Sequence, residues 1–272
     1  MATVTAADIK KLREATGAGM TDCKNALVEA DGDYDRAVEL LRIKGLKGVA
    51  KREGRAASNG LVTSVVEGTT RGTMLELNCE TDFVAKGERF QSLAAQVLDA
   101  AKGSNDLGSV TVDGKPLKDV LDEAGAALGE KIEVRRIVSF DGAYVGPYLH
   151  KTNPDLPPQL GVLVELSGEN AEVAKDLAQH IAAFSPTYIS REEVPDEVVA
   201  KERSIAEATA KEEGKPEAAL SKIVEGRVNG FFKDAVLLEQ AFAKDAKKTV
   251  AKVLSEAGVE VTGFARFKVG QA

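Results

Sequence analysis

Apolar and polar positions along the chain change period near residue 59. Before it, Ile9 and Leu12, then Cys23, Ala26, Leu27 and Ala30, then Tyr34, Ala37, Val38 and Leu41 recur at helical spacing. Residues 1–43 therefore predict a bundle of three short helices. Thr5 to Asp8 resembles a capping box, with Asp in place of Glu, at the head of the first helix. Gly17-Ala18-Gly19 ends it, and Asp31-Gly32-Asp33 turns into the third. Residues 44–58 read as a basic flexible linker, with Lys44, Lys47, Lys51, Arg52 and Arg55 set among Gly45, Gly48 and Gly54. Such a run suits phosphate or an acidic partner, but a solvated linker is its commoner meaning.

From Asn59 the period is two. Residues 61–66 and 73–77 predict strands joined by the turn 67–72, and a helix follows from about Asp82. A loop over 103–114 leads to a helix over 117–128, closed by Gly129. The plan then repeats, with strands over 132–140, 144–149 and 162–166, a proline-bearing loop over 153–158, and a helix over 171–184. Antiparallel sheets with helices on one face, twice over, define an α+β architecture. The boundaries fall at 59–141 for the first sheet–helix unit and 142–194 for the second. Residues 195–232 depart from the plan. Val198, Ile205 and Ala208, then Leu220, Ile223, Val224 and Phe231, flank Gly214-Lys215-Pro216 as a projecting antiparallel helical hairpin. Residues 233–272 return to the sheets, with strands over 235–242 and 259–269 and a helix over 249–257 capped by Gly258.

The two units share more than a plan. Residues 72–85 read GTMLELNCETDFVA and residues 161–174 read GVLVELSGENAEVA. The matches include Gly72/Gly161, Glu76/Glu165, Leu77/Leu166, Glu80/Glu169, Val84/Val173 and Ala85/Ala174, so both copies use one strand-to-helix turn. Thr81 is placed to cap the helix, with Asp82 in the first turn where the helix dipole favours a carboxylate. Phe83 has two readings. Its seven-residue spacing from Phe90 puts both rings on one inward face of an unbroken helix. Gly87, however, permits a break, and the second copy carries Glu172 where the first has Phe83. A core position would bury that glutamate without a partner. The repeat therefore favours an exposed Phe83, which is what a protein-binding anchor requires.

Composition narrows the function. The 272 residues are 43% hydrophobic and 29% charged, an ordinary globular balance, and the net charge of −7 argues against nucleic acid as a direct partner. No run is apolar for long enough to span a membrane, so a cytoplasmic location is expected. The two cysteines, Cys23 and Cys79, lack metal-ligand spacing, and no metal or cofactor is expected. No nucleophile and base stand in a supporting context around His150 or His180. Glu80 and Asp82 are a conceivable carboxylate pair, but that spacing in a turn more often means a cap and a dipole partner. Catalytic residues are therefore assigned to none.

Several runs resemble a known family. Residues 12–27, LREATGAGMTDCKNAL, are similar to the N-terminal signature of the elongation factor Ts family, and residues 80–86, ETDFVAK, to its second signature. His180 to Ala183, Lys222 to Arg227 and Glu260 to Phe267 match further on, in the family's order. Thr21 and Asn25 depart from the usual Met and Lys, and Gly87 stands where Asn or Asp is common. The loop 151–158, after Tyr148-Leu149-His150, is longer than the family's usual link. The resemblance implies a guanine-nucleotide exchange factor for elongation factor Tu, and not an enzyme. It assigns Thr81, Asp82, Phe83 and Val84 to disturbing the partner's magnesium and phosphate site. It sets Leu12 and Met20 against the partner from the bundle and brings His150 in as a further contact. The hairpin, on its own apolar seam and apart from the resemblance, suits self-association or a second contact with the partner, with a plain structural arm as the alternative. A protein-binding adaptor using the bundle is the competing expectation.

Overall fold

The computed structural model describes residues 4–271. Three helices open the chain: α1 (Ala6–Thr16), α2 (Met20–Glu29) and α3 (Tyr34–Arg52). The capping box forms as the sequence suggests, Thr5 Oγ1 accepting from the Asp8 N–H and Asp8 Oδ2 from the Thr5 N–H. Leu12, Cys23, Ala26, Leu27 and Ala37 make the core of the bundle.

The linker expected over 44–58 is corrected by the third helix, which continues to Arg52. One of its glycines serves close packing. A Cβ on Gly45 would stand 2.6 Å from the Ala126 Cβ of α6 (Leu117–Leu128), so only glycine lets the two helices approach there. Three of the basic residues are engaged internally: Lys44 with Glu29 at 2.6 Å, Arg52 with the Gly125 carbonyl at 3.2 Å, and Arg55 with Glu80 at 3.2 Å.

Two three-stranded antiparallel sheets follow. The first joins β1 (Asn59–Glu67), β2 (Arg71–Cys79) and, beyond the small β3 (Thr111–Val112) and β4 (Lys115–Pro116) pair, β5 (Glu133–Asp141), in the order β1-β2-β5. Its outer face carries α4 (Asp82–Lys86), α5 (Glu88–Ala100) and α6. The second sheet has β6 (Tyr144–His150), β7 (Leu160–Leu166) and β10 (Val261–Lys268), in the order β10-β7-β6, covered by α7 (Ala171–Phe184) and α10 (Val250–Ala257). The repeated segments thus supply the central strand of each sheet.

Alternation along β2 and β7 builds the layers. Leu75 and Leu77 meet Phe90, Leu93 and Val97 of α5, while Val162, Val164 and Leu166 meet Leu177 and Ile181 of α7. On the opposite faces Met74 and Leu163 join Val62, Val145 and Phe267 in a core between the sheets. The matched glycines sit at this interface. A Cβ on Gly72 would lie 2.5 Å from Val145 Cγ1, and one on Gly161 2.5 Å from Val62 Cγ1. Glu76 faces the same layer, fully buried, paired with Arg136 at 2.6 Å. Arg136 also donates to the carbonyls of Lys268 and Gln271, and Glu76 Oε1 accepts from the Gly270 N–H.

The hairpin consists of α8 (Asp196–Glu212) and α9 (Glu217–Ala235), closed at Gly214 with φ 68°. Ala206, Val224, Val228 and Phe232 fill its seam. The strand expected over 235–242 is confined to β8 (Ala241–Phe242), paired with β9 (Asp245–Thr249). α9 runs on to Ala235, and Leu237 donates to the Tyr188 carbonyl. The apolar run there anchors the hairpin instead of extending a sheet.

Candidate functional site

The turn after β2 is fixed from both sides. Gly129, at the end of α6 with φ 77°, reverses the chain so that Glu130 and Lys131 reach back to it. Glu130 Oε2 accepts from the N–H groups of Glu80 and Thr81, each at 3.0 Å, and Oε1 from the Thr81 hydroxyl at 2.6 Å. Glu80 returns the contact, its Oε1 accepting from the Lys131 N–H at 2.7 Å. That bond and the Arg55 guanidinium hold the Glu80 carboxyl below its ordinary pKa. Asn59 Nδ2 donates to the Glu80 carbonyl at 2.8 Å.

On this base stands α4, a helix of five residues. Thr81 caps it as expected, its hydroxyl accepting from the Val84 N–H. Ala85 is fully buried beneath it. Asp82 pairs with Lys86 at 3.1 Å across one helical turn, and the Lys86 ammonium lies 6.0 Å from the Phe83 ring. Gly87 takes an extended conformation and separates α4 from α5, which removes the shared phase of Phe83 and Phe90. Phe90 is fully buried, while Phe83 is 82% exposed. Val84 is half-buried against the core of the first unit.

Glu80 and Asp82 do not form an acid–base pair, since each carboxylate is engaged with its own partners. Cys79 lies beneath the turn, its thiol donating to the Thr81 carbonyl, and burial pushes it up to about 12. It is therefore a protonated core residue and not a nucleophile. Among the described residues no group of three His, Cys, Asp or Glu side chains is placed to hold a metal ion. No described helix is long and apolar enough to cross a membrane.

The remaining site residues divide. Met20, the first residue of α2, is 58% exposed. Leu12 is corrected: it is fully buried among Cys23, Leu27 and Ala37, so its place in the signature reflects the bundle's own core. His150 ends β6 exposed, its Nδ1 3.0 Å from the Tyr148 hydroxyl. His180 is a satisfied core histidine. The Ala243 N–H donates to Nδ1, which leaves Nε2–H to donate to Gln240 Oε1 at 2.8 Å, and burial lowers its pKa. The residue that sequence reasoning missed is Glu130. Its only signal is a carboxylate directly after the helix-ending glycine.

Fold and site together define an α+β protein that presents an aromatic ring from a braced turn. Comparison with known proteins agrees with the signatures in the sequence. The family model described as Elongation factor TS matches residues 80–271. The elongation factor Ts of Acidothermus cellulolyticus is 62% identical over 276 residues, covering 100% of both chains. That of Thermobifida fusca is 60% identical over 278 residues, again 100% of both. That of Streptomyces griseus is 62% identical over 277 residues, 99% of this chain and 100% of its own. The chain belongs to the elongation factor Ts family and is a translation elongation factor.

Proposed function

We propose that the chain is a guanine-nucleotide exchange factor for elongation factor Tu, acting in the cytoplasm. It binds the GDP-bound partner. Thr81, Asp82, Phe83 and Val84 disturb the magnesium and phosphate site there, GDP leaves, and GTP can enter. The observation that carries this reading is the exposure of Phe83, 82% on a helix whose neighbouring Ala85 is fully buried. A large ring held out by a rigid base suits insertion between partner side chains, because little ordering is left to be done on binding.

Met20 adds an apolar contact from the bundle, and His150, oriented by Tyr148, a subsidiary one from the second sheet. The hairpin makes a further contact with the partner or with a second copy. The exchange is a matter of linkage, with no bond made or broken. Each ~1.4 kcal/mol by which the factor prefers nucleotide-free Tu weakens nucleotide binding about tenfold, and the coupling is reciprocal.

The test is release of labelled GDP from elongation factor Tu by substoichiometric amounts of the chain. Acceleration with turnover is expected. Binding to Tu without any acceleration would overturn exchange and leave an adaptor.

A further inference from the structure

We propose that Glu130 is a positioning residue for exchange, fixing the turn from which Phe83 is presented. The inference rests on the reading of Phe83 as the exchange wedge. Glu130 lies outside the Thr81–Val84 element and 49 residues from Thr81 in sequence. Its carboxylate takes three bonds from the turn: two backbone N–H groups at 3.0 Å and the Thr81 hydroxyl at 2.6 Å. A carboxylate accepting several donors is a strong acceptor, and each bond is charge-assisted.

The placement of these bonds matters more than their number. The Glu80 and Thr81 N–H groups lie just ahead of the helix, where no intrahelical carbonyl can satisfy them. The Thr81 hydroxyl is at once donor to Glu130 and acceptor from the Val84 N–H, so one side chain couples the brace to the cap. Glu80 locks the loop reciprocally through the Lys131 N–H. Gly125 makes room for the approach, since a Cβ there would stand 2.9 Å from the Glu130 carbonyl. A helix of five residues is too short to hold itself. The brace supplies the rigidity that α4 lacks.

A wedge that is ordered before binding loses less freedom on insertion than one on a fluctuating turn. Removing the carboxylate therefore weakens exchange without removing the ring. Glu130→Ala is expected to lower the second-order rate constant for GDP release about tenfold, equivalent to ~1.4 kcal/mol. Glu130→Gln, which keeps an acceptor oxygen for the two N–H groups, should recover most of that loss. In the free protein, amide exchange over residues 81–85 should speed up in Glu130→Ala while β2 and α5 stay protected.

The deciding measurement is a double-mutant cycle with Phe83→Ala. If Glu130 acts through the wedge, Glu130→Ala should change exchange less than about twofold once Phe83 is gone. A loss of the same factor in both backgrounds would overturn the positioning role and mark a general structural one. Unaltered exchange in Glu130→Ala would overturn it as well. Should Phe83→Ala alone leave exchange intact, the functional reading itself falls, and this inference with it. The single variants therefore tell the two failures apart.

Discussion

The turn from β2 into α4 and the turn from β7 into α7 begin alike and end differently. Both central strands place a glycine against the opposite sheet and bury an alanine in the first helical turn, Ala85 in one and Ala174 in the other. Thr81 and Asn170, at matched positions, cap matched N–H groups on Val84 and Val173. Beyond that the copies diverge. The second helix runs unbroken to Phe184, carries the exposed Glu172, and is tied down where Ser167 and Glu260 exchange backbone and hydroxyl bonds. The first breaks at Gly87 after five residues, adds the Glu130 brace and holds Phe83 in solvent. The duplicated frame supplies stability in both places. Presentation comes from what one copy added.

The comparison can be broken most severely at the residue the glycine break returns to the core. Phe90→Ala should cost roughly 3–5 kcal/mol of stability, seen as a large fall in melting temperature. Exchange measured well below that temperature should persist, because Phe90 is fully buried and presents no surface.

Phe83→Ala should show the opposite signature. Melting should stay within about 0.5 kcal/mol of the parent. GDP release should fall by roughly thirty- to a thousandfold, the ~2–4 kcal/mol of an interface anchor. The matched change in the second copy, Glu172→Ala, should alter neither. A large drop in melting with exchange retained would place the Phe83 ring in the core and sink the contrast between the copies.

The shared frame is tested at its glycines. Gly161→Ala puts a methyl group 2.5 Å from Val62 Cγ1 and 2.9 Å from Met74 Sδ. Overpacking of that kind costs about 1–3 kcal/mol. Gly72→Ala should behave similarly, as both glycines serve the same sheet-to-sheet approach. Chemical denaturation showing either variant as stable as the parent would mean that the layers are free to part.

The smallest effect distinguishes the turns by pH. The folded-state pKa of Glu80 is depressed, so its contribution is present above the ordinary glutamate value and is lost as pH falls through the folded one. In the second copy the depressed His180 pKa has a different window. The unfolded chain takes up a proton near 6.5 that the folded ring refuses, so stability begins to fall just below that pH. Glu80→Gln should flatten only the acid limb of the melting profile. Ring signals of His180 should report a neutral imidazole below pH 6.5, and a protonated ring at pH 6.5 would refute the assignment.

Much of this was legible in the sequence because local chemistry set it. Gly129 and Gly258 end helices in the left-handed conformation, as their positions after the last apolar residue suggest. The repeat exposed Phe83 because a glutamate stood in the same frame. The errors have a common cause. Gly45 resembles a breaker until a second helix lies against it, and Leu12 resembles an anchor until its bundle closes. The run Val236 to Leu238 has the composition of a strand, yet packing under the hairpin governs it. Glu130 meets Thr81 only after the intervening chain has folded, and the one local sign of it is its place directly after Gly129.

The pair of buried Glu76 and half-buried Arg136 also joins the two ends of the sheet region. Both belong to the first sheet, yet their remaining bonding capacity is taken up by residues 268–271. A ribosome delivers Glu76 194 residues before the Gly270 amide that completes it. The bonds that complete this pair therefore have no partners until residues 268–271 have joined the chain.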